Sequence, residues 1–253
     1  MIHRCLITVL WVMSTLMVSA QKPEIHSHND YNQARPFWGA YDAKAASIEA
    51  DIWLIDGVIY VAHDREKVKA DCLLKNMYLN PIRQVMDKNG GTAYPEGKGF
   101  QLLVDLKSGP ETLDNLINLI RTEEMEAYFD AKNNPNAVQI VITGDKIAKE
   151  HFTQYPDYIY FDGLPNVDYT GEQLERIPMI SAYRGHFTKW RGKGKMDKAD
   201  RKRIKEAVKS AHKKGCKFRI WAFPDNEEGW KMSKKLGVDF INTDHPDRVA
   251  NMK

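Results

Sequence analysis

Apolar runs broken by polar residues two positions apart recur along this chain, and the sharpest lies between Ser47 and Asp64. There Glu49 and Asp51 interrupt an apolar stretch that includes Ile48, Ile52, Trp53 and Leu54. Residues two apart in a strand point to the same face, so both carboxylates converge on one point. Asp56-Gly57 reads as a tight turn, because both residues tolerate positive φ. A second apolar run, 58–62, returns the chain and ends at His63-Asp64. Similar runs predict strands at 24–28, 100–107, 137–143, 158–161, 179–183, 217–223 and 238–243. Helical spacing predicts helices at 36–46, 80–88, 111–122, 146–152, 198–214 and 226–236.

Counting 47–54 and leaving 58–62 as its extension gives eight core strands, most of them separated by helices. That order is the pattern of an α/β TIM (β/α)8 barrel in a single domain. A doubly wound sheet is the alternative, and it lacks an obvious Gly-rich nucleotide loop here. The long excursion over 65–99, closed by Asn89-Gly90-Gly91, is of a length usually functional or mobile. No internal repeat or low-complexity segment is visible.

Composition changes the picture at the start of the chain. Residues 1–4 carry positive charge, 5–18 are largely apolar, and Val18-Ser19-Ala20 has the small residues of a cleavage site. The reading is a signal peptide over 1–20, a secreted or periplasmic protein, and a barrel domain over 21–253. The apolar stretch is too short for a comfortable membrane span. A formal net charge of +3 argues against nucleic acid as the main partner. Cys5 leaves with the signal, so Cys72 and Cys216 remain, and a disulfide between them is permitted but not required. The basic run 184–198, with Trp190, reads either as a solvated charge run or as an arm over the pocket that makes a peripheral membrane contact.

Barrel chemistry sits at the C-terminal ends of the strands. Polar pairs two apart fall there on four strands: His26 and His28, Glu49 and Asp51, Asp105 and Lys107, Asn242 and Asp244. Acids buried without a partner are costly, so a cation is expected beside them. Glu49, Asp51 and Asp105 supply oxygen ligands suited to a hard divalent metal, Mg2+ or Ca2+. Lys107 is either a contact for a substrate phosphate or a partner of the acids. His28 and His63 are candidates for an acid–base pair, since imidazole gives and takes a proton near neutral pH. His26 shares the face of His28, as a supporting residue or a substrate contact.

These residues resemble a family. His28, Glu49-x-Asp51, the Asp56-Gly57 turn and His63-Asp64 resemble the signature of glycerophosphodiester phosphodiesterases, within the phospholipase C-like phosphodiesterase superfamily of TIM barrels. The likeness is closest to the branch containing the fungal altered-inheritance-of-mitochondria proteins. It rests on His26-Ser27-His28-Asn29-Asp30-Tyr31, on Arg35-Pro36, and on Ser47-Ile48-Glu49-Ala50-Asp51 through to Val61-Ala62-His63-Asp64. Val104-Asp105-Leu106-Lys107 is similar to the strand that gives spider-venom sphingomyelinase D its third metal acid and a lysine. Ile220-Trp221, Gly237-Val238-Asp239 and Asn242-Thr243-Asp244-His245-Pro246 resemble the closing strands of the superfamily.

The resemblance implies His28 and His63 as catalytic pair and Glu49, Asp51 and Asp105 as metal ligands. It also implies Lys107 as a phosphate contact and Trp221 as a wall of the pocket. It departs at one position: many glycerophosphodiesterases have arginine directly after the first histidine, where this chain has Asn29, itself a candidate substrate contact, so that phosphate contact is missing or replaced. The implied activity is a metal-dependent phosphodiesterase cleaving a glycerophosphodiester or a phospholipid head group. The alternatives are a phospholipase C- or D-type lyase or transferase giving a cyclic phosphate, and a barrel that binds a phospho-ligand without turnover.

Overall fold

The computed structural model describes residues 23–252 apart from residue 146. The expected signal peptide over 1–20 lies outside the described residues. Nine strands form one sheet: β1 (Glu24–Ser27), β2 (Ser47–Ile55), β3 (Val58–Val61), β4 (Phe100–Leu106), β5 (Val138–Gly144), β6 (Ile159–Gly163), β7 (Met179–Tyr183), β8 (Lys217–Trp221) and β9 (Phe240–Thr243). β1 pairs in parallel with both β9 and β2, so eight strands close into a parallel barrel. A doubly wound sheet would have open edges, and this closure excludes it. β3 hangs antiparallel on β2, with Ile55 opposite Val58. Their connection has both Asp56 (φ 50°) and Gly57 (φ 78°) in the left-handed region, as a two-residue hairpin requires.

The helices are α1 (Trp38–Asp42), α2 (Asn80–Lys88), α3 (Glu111–Thr122), α4 (Glu126–Phe129), α5 (Gly171–Leu174), α6 (Lys198–Lys213), α7 (Glu227–Leu236) and α8 (Pro246–Ala250). The helix predicted over 36–46 shrinks to α1, because Phe37 (φ 62°) and Lys44 (φ 58°) bend the backbone out of the helical region on either side. The helix predicted over 146–152 is replaced by a 3-10 segment, Lys149–Gln154. Among the described residues no helix is long and apolar enough to cross a membrane.

The strands' alternation separates two cores. Outward residues such as Ile48, Ala50 and Ile52 of β2 and Leu102, Val104 and Leu106 of β4 join the main core under the helices. Inside the barrel, Leu103, Val141, Tyr160, Met179 and Phe240 form a separate apolar plug. One alternation further along, the inward residues turn polar: Asp105, Thr143, Asp162, Ser181 and Asn242. The plug therefore closes the barrel floor, and a polar layer lies above it at the strands' C-terminal ends.

The permitted disulfide is not formed. Cys72 and Cys216 are both free thiols, and the buried Cys216 donates to the Ile177 carbonyl at 3.1 Å.

Candidate active site

A cavity of about 770 Å³ opens above the polar layer and is lined by His28, His63, Lys107, Asp162, Arg219 and Trp221 together with the three acids. β2 delivers Glu49 and Asp51, and β4 delivers Asp105 and, just past its end, Lys107. The parallel register sets Asp51 directly beside Asp105. One oxygen from each of Glu49, Asp51 and Asp105 lies within 4.8 Å of the others.

Each acid is held on one side. Glu49 is 5 % exposed. Its Oε2 accepts from His26 Nε2 at 2.7 Å and from Arg219 Nη1 at 3.0 Å. Burial pushes this carboxyl up, but His26 and Arg219 outweigh burial and hold it well below the usual carboxylate range. Lys107 Nζ donates to Asp105 Oδ2 at 2.8 Å and lies 3.1 Å from Asp51 Oδ2. Burial, followed by the charges of Glu49 and Asp105, pushes Asp51 up to about 7. Asp105 is also raised, first by burial.

The other oxygens test whether a cation fits. Asp51 Oδ1 and Asp105 Oδ1 are both buried and have no hydrogen-bond partner among the described residues. Orphaned carboxylate oxygens converging with a third carboxylate are a donor set that a hard divalent cation satisfies. The residues present fit such an ion. Gly144, at the end of β5 (φ 85°), belongs to the same arrangement: a Cβ there would come within 2.0 Å of Asp105 Oδ1.

The two histidines occupy different settings. His28 Nδ1 donates to Asp244 Oδ1 at 2.6 Å, across 216 residues of chain. Burial lowers the pKa of His28, but the Asp244 bond and the charges of Glu49 and Asp244 outweigh it, and the net shift is upward. With Nδ1 committed, Nε2 is the ring nitrogen left to exchange a proton. His63 is exposed on the cavity rim beyond β3, and its Nδ1 donates to Asp64 Oδ1 at 2.9 Å.

Three expectations are corrected. The substrate contact considered for His26 is corrected in favour of the supporting role: it is fully buried behind Glu49, and burial, followed by the Arg219 charge, lowers its pKa to about 4. Neutral at ordinary pH, it donates to Glu49 and accepts from Ser47 Oγ at 2.9 Å. Asn29, expected at the substrate, does not line the cavity. Its backbone is left-handed (φ 48°), its Nδ2 donates to Asp244 Oδ1 at 3.3 Å, and its Oδ1 lies 2.8 Å from the Tyr31 hydroxyl. The basic run is not an arm over the cavity either. Trp190 packs on Phe223 and donates from Nε1 to the Gly194 carbonyl at 3.1 Å.

Sequence reasoning missed Arg219. It is 5 % exposed inside the barrel, donates from Nε to Ser181 Oγ at 3.1 Å, and lines the cavity. The alternation Lys217-Phe218-Arg219-Ile220-Trp221 was the available signal: Phe218 and Ile220 face the main core, so Arg219 and Trp221 face inward. Asp162, raised to about 6 by burial, was missed although it follows the same alternation, inward like Tyr160 while Phe161 faces the main core. Asp30, read in the sequence only as part of a motif, has a structural role that sequence reasoning did not assign. Fully buried, it accepts from Ser27 Oγ, the Phe37 amide and the Tyr78 hydroxyl, and so fixes the loop that follows His28.

The family model of the AIM6-like phosphodiesterase domain matches residues 15–162. The chain belongs to this family. The match includes His28, the three acids, His63 and Lys107, while Arg219, Trp221 and Asp244 lie beyond it. AIM6-like relatives extend over most of the chain. Altered inheritance of mitochondria protein 6 homolog of Arthroderma benhamiae is 24% identical over 87% of this chain and 80% of its own. Altered inheritance of mitochondria protein 6 of Eremothecium gossypii is 27% identical over 89% and 68%. Among solved structures, a glycerophosphodiester phosphodiesterase from Parabacteroides distasonis superposes with a TM-score of 0.57 at 16% identity, over 90% of this chain and 95% of that one. One from Agrobacterium tumefaciens gives 0.51 at 14% identity, over 91% and 100%. These two neighbours share the barrel fold.

Proposed function

We propose that this AIM6-like domain is a metal-dependent phosphodiesterase acting on a glycerophosphodiester or a phospholipid head group. One observation carries the reading: Glu49, Asp51 and Asp105 converge within 4.8 Å in a cavity they share with Lys107, Arg219 and His28. Glu49, Asp51 and Asp105 would hold Mg2+ or Ca2+, which when bound supplies Lewis-acid charge to the phosphodiester. Lys107 and Arg219 bind the non-bridging phosphate oxygens and neutralise charge that grows in the transition state. Arg219 reaches the cavity from β8 and stands in for the arginine that many glycerophosphodiesterases have where this chain has Asn29.

His28 Nε2 takes the proton of the attacking hydroxyl, from water or from the substrate itself, as the new P–O bond forms. His63 gives a proton to the leaving oxygen as the old P–O bond breaks. Asp244 positions His28 through Nδ1 and steadies its imidazolium form. Trp221, 42 % exposed at the end of β8, forms a wall for the head group. The same proposal puts the protein outside the cytoplasm, on the strength of residues 1–20, with a small phosphodiester or lipid head group and not nucleic acid as its partner.

The test is hydrolysis of bis(p-nitrophenyl) phosphate by the protein with Mg2+ or Ca2+, with EDTA, and with His28→Ala. Expected is metal-dependent turnover lost in EDTA and reduced at least 100-fold by the substitution, the scale of a general acid or base. Turnover indifferent to EDTA would defeat the metal assignment. No turnover in any metal would defeat the hydrolase reading in favour of a cyclising lyase or a binding barrel.

A further inference from the structure

The cavity does not end at the charged residues. Beyond Thr143 and Asp162 it runs under the loops that follow β5 and β6, where Ile142, Ile147, Phe152, Phe161, Leu164 and Val167 line it beside the charged Asp145, Lys149 and Glu150. Phe152 and Phe161 stack face to face, with centroids 3.9 Å apart and planes 2° from parallel, and so form a fixed floor. Ile147, Leu164 and Val167 stay half-buried, with their apolar surface turned to the cavity. The loops are tied down by polar contacts of their own. Lys149 Nζ donates to the Asp168 carbonyl at 2.6 Å, and Tyr169 Oη accepts from the Leu164 amide at 2.9 Å. An apolar surface continuous with a charged one, inside one cavity of about 770 Å³, has more room than a glycerol- or choline-sized group fills.

We propose that the substrate is an amphiphilic phosphodiester. Its phosphate lies against the charged wall, and an alkyl or acyl chain, as in a lysophospholipid-type ester, lies along Ile147, Leu164 and Val167. The phosphate end rests on the phosphodiesterase reading above; the apolar end rests on the lining alone. A soluble ester with only polar substituents leaves that lining wet. An ester with a chain buries it, at a gain of roughly fourfold in affinity per buried methylene.

The test is calorimetric binding of methyl, butyl and octyl phosphate, below the aggregation concentration of the last, to the protein in Mg2+. Affinity is expected to rise along the series, with octyl phosphate at least 30-fold tighter than methyl phosphate, the gain from about three methylenes. Val167→Trp fills the apolar end and brings the octyl-to-methyl ratio towards one. Ile147→Trp, from the other loop, is an independent second variant with the same expected result. Equal affinities along the series, a ratio that survives both substitutions, or no binding of octyl phosphate overturns the proposal. Turnover of bis(p-nitrophenyl) phosphate separates the two readings. Hydrolysis without a chain-length gain defeats only the apolar wall, and a gain without hydrolysis defeats only the catalytic assignment.

Discussion

Two walls face each other across the mouth of this barrel. One, from β1, β2, β4 and β8, presents His28, Glu49, Asp51, Asp105, Lys107 and Arg219; the other, from the ends of β5 and β6 and their loops, is mostly aliphatic and aromatic. The charged wall is built from positions on the strands or one residue past their ends, fixed by register and backed by buried partners such as His26. The apolar wall is built from loop residues and from outward strand positions that also belong to the main core. Charges in low dielectric have to be placed and paired, so rigid strands carry them. Apolar contact is non-directional and tolerates a loop.

The largest effect expected from breaking this division is Glu49→Gln. It leaves the Arg219 guanidinium buried without its carboxylate, so a loss of about 3–5 kcal/mol is expected in denaturant unfolding. Metal-dependent turnover disappears with it. A melting curve unchanged from the parent would show that Arg219 finds another partner.

Gly144→Ala strikes the seam between the walls. A Cβ there meets Asp105 Oδ1 at 2.0 Å and the Leu106 carbonyl at 2.4 Å, on a backbone with φ 85°. The expected result is a loss of about 1–3 kcal/mol and at least tenfold weaker metal binding by titration calorimetry. Parent-like affinity would show that Asp105 is dispensable as a ligand.

The smallest effect on stability belongs to Asp244→Asn, on the half-exposed rim. The folded pKa of His28 is raised, so its contribution is complete below the ordinary imidazole value and fades as pH rises through the folded value. Burial opposes ionisation of Asp244, but the His28 bond outweighs it and lowers the folded pKa. That contribution is complete above the ordinary carboxylate value and fades as pH falls through the folded one. The pair therefore stabilises most between about pH 4 and the ordinary imidazole value near 6.5, by less than about 1 kcal/mol because both groups meet solvent. Melting temperatures of parent and variant should differ most in that window and converge as pH rises past the folded value of His28. In kinetics, the acidic limb of the pH–rate profile should move to lower pH if His28 is the base. Movement of the basic limb instead would make it the acid.

Much of the charged wall was legible in advance because period-two alternation writes inward positions into the sequence. Glu49-x-Asp51 and Asp105-x-Lys107 stand out as polar interruptions of apolar runs, and the Asp56-Gly57 turn announces the hairpin. Arg219 follows the same alternation but sits in a strand whose other inward residues, Lys217 and Trp221, look like ordinary strand ends. The substrate contact considered for His26 fails for the opposite reason. Its alternation with His28 is real, yet one step down the barrel takes a side chain from the rim into the buried layer. The apolar wall was not legible, since Leu164 and Val167 lie in a loop without periodicity and Ile147 falls in a stretch whose spacing reads as helical.

The sequence by itself determined the barrel, the inward set of each of its strands and the turn of its hairpin, because backbone geometry turns local spacing into direction. Only the tertiary structure decided which inward groups touch. It set Arg219 against Glu49, Lys107 between two aspartates, Asp244 on His28, and left both cysteines unpaired. Those contacts join residues far apart along the chain, and closure of the barrel, not spacing, brings them within hydrogen-bond reach.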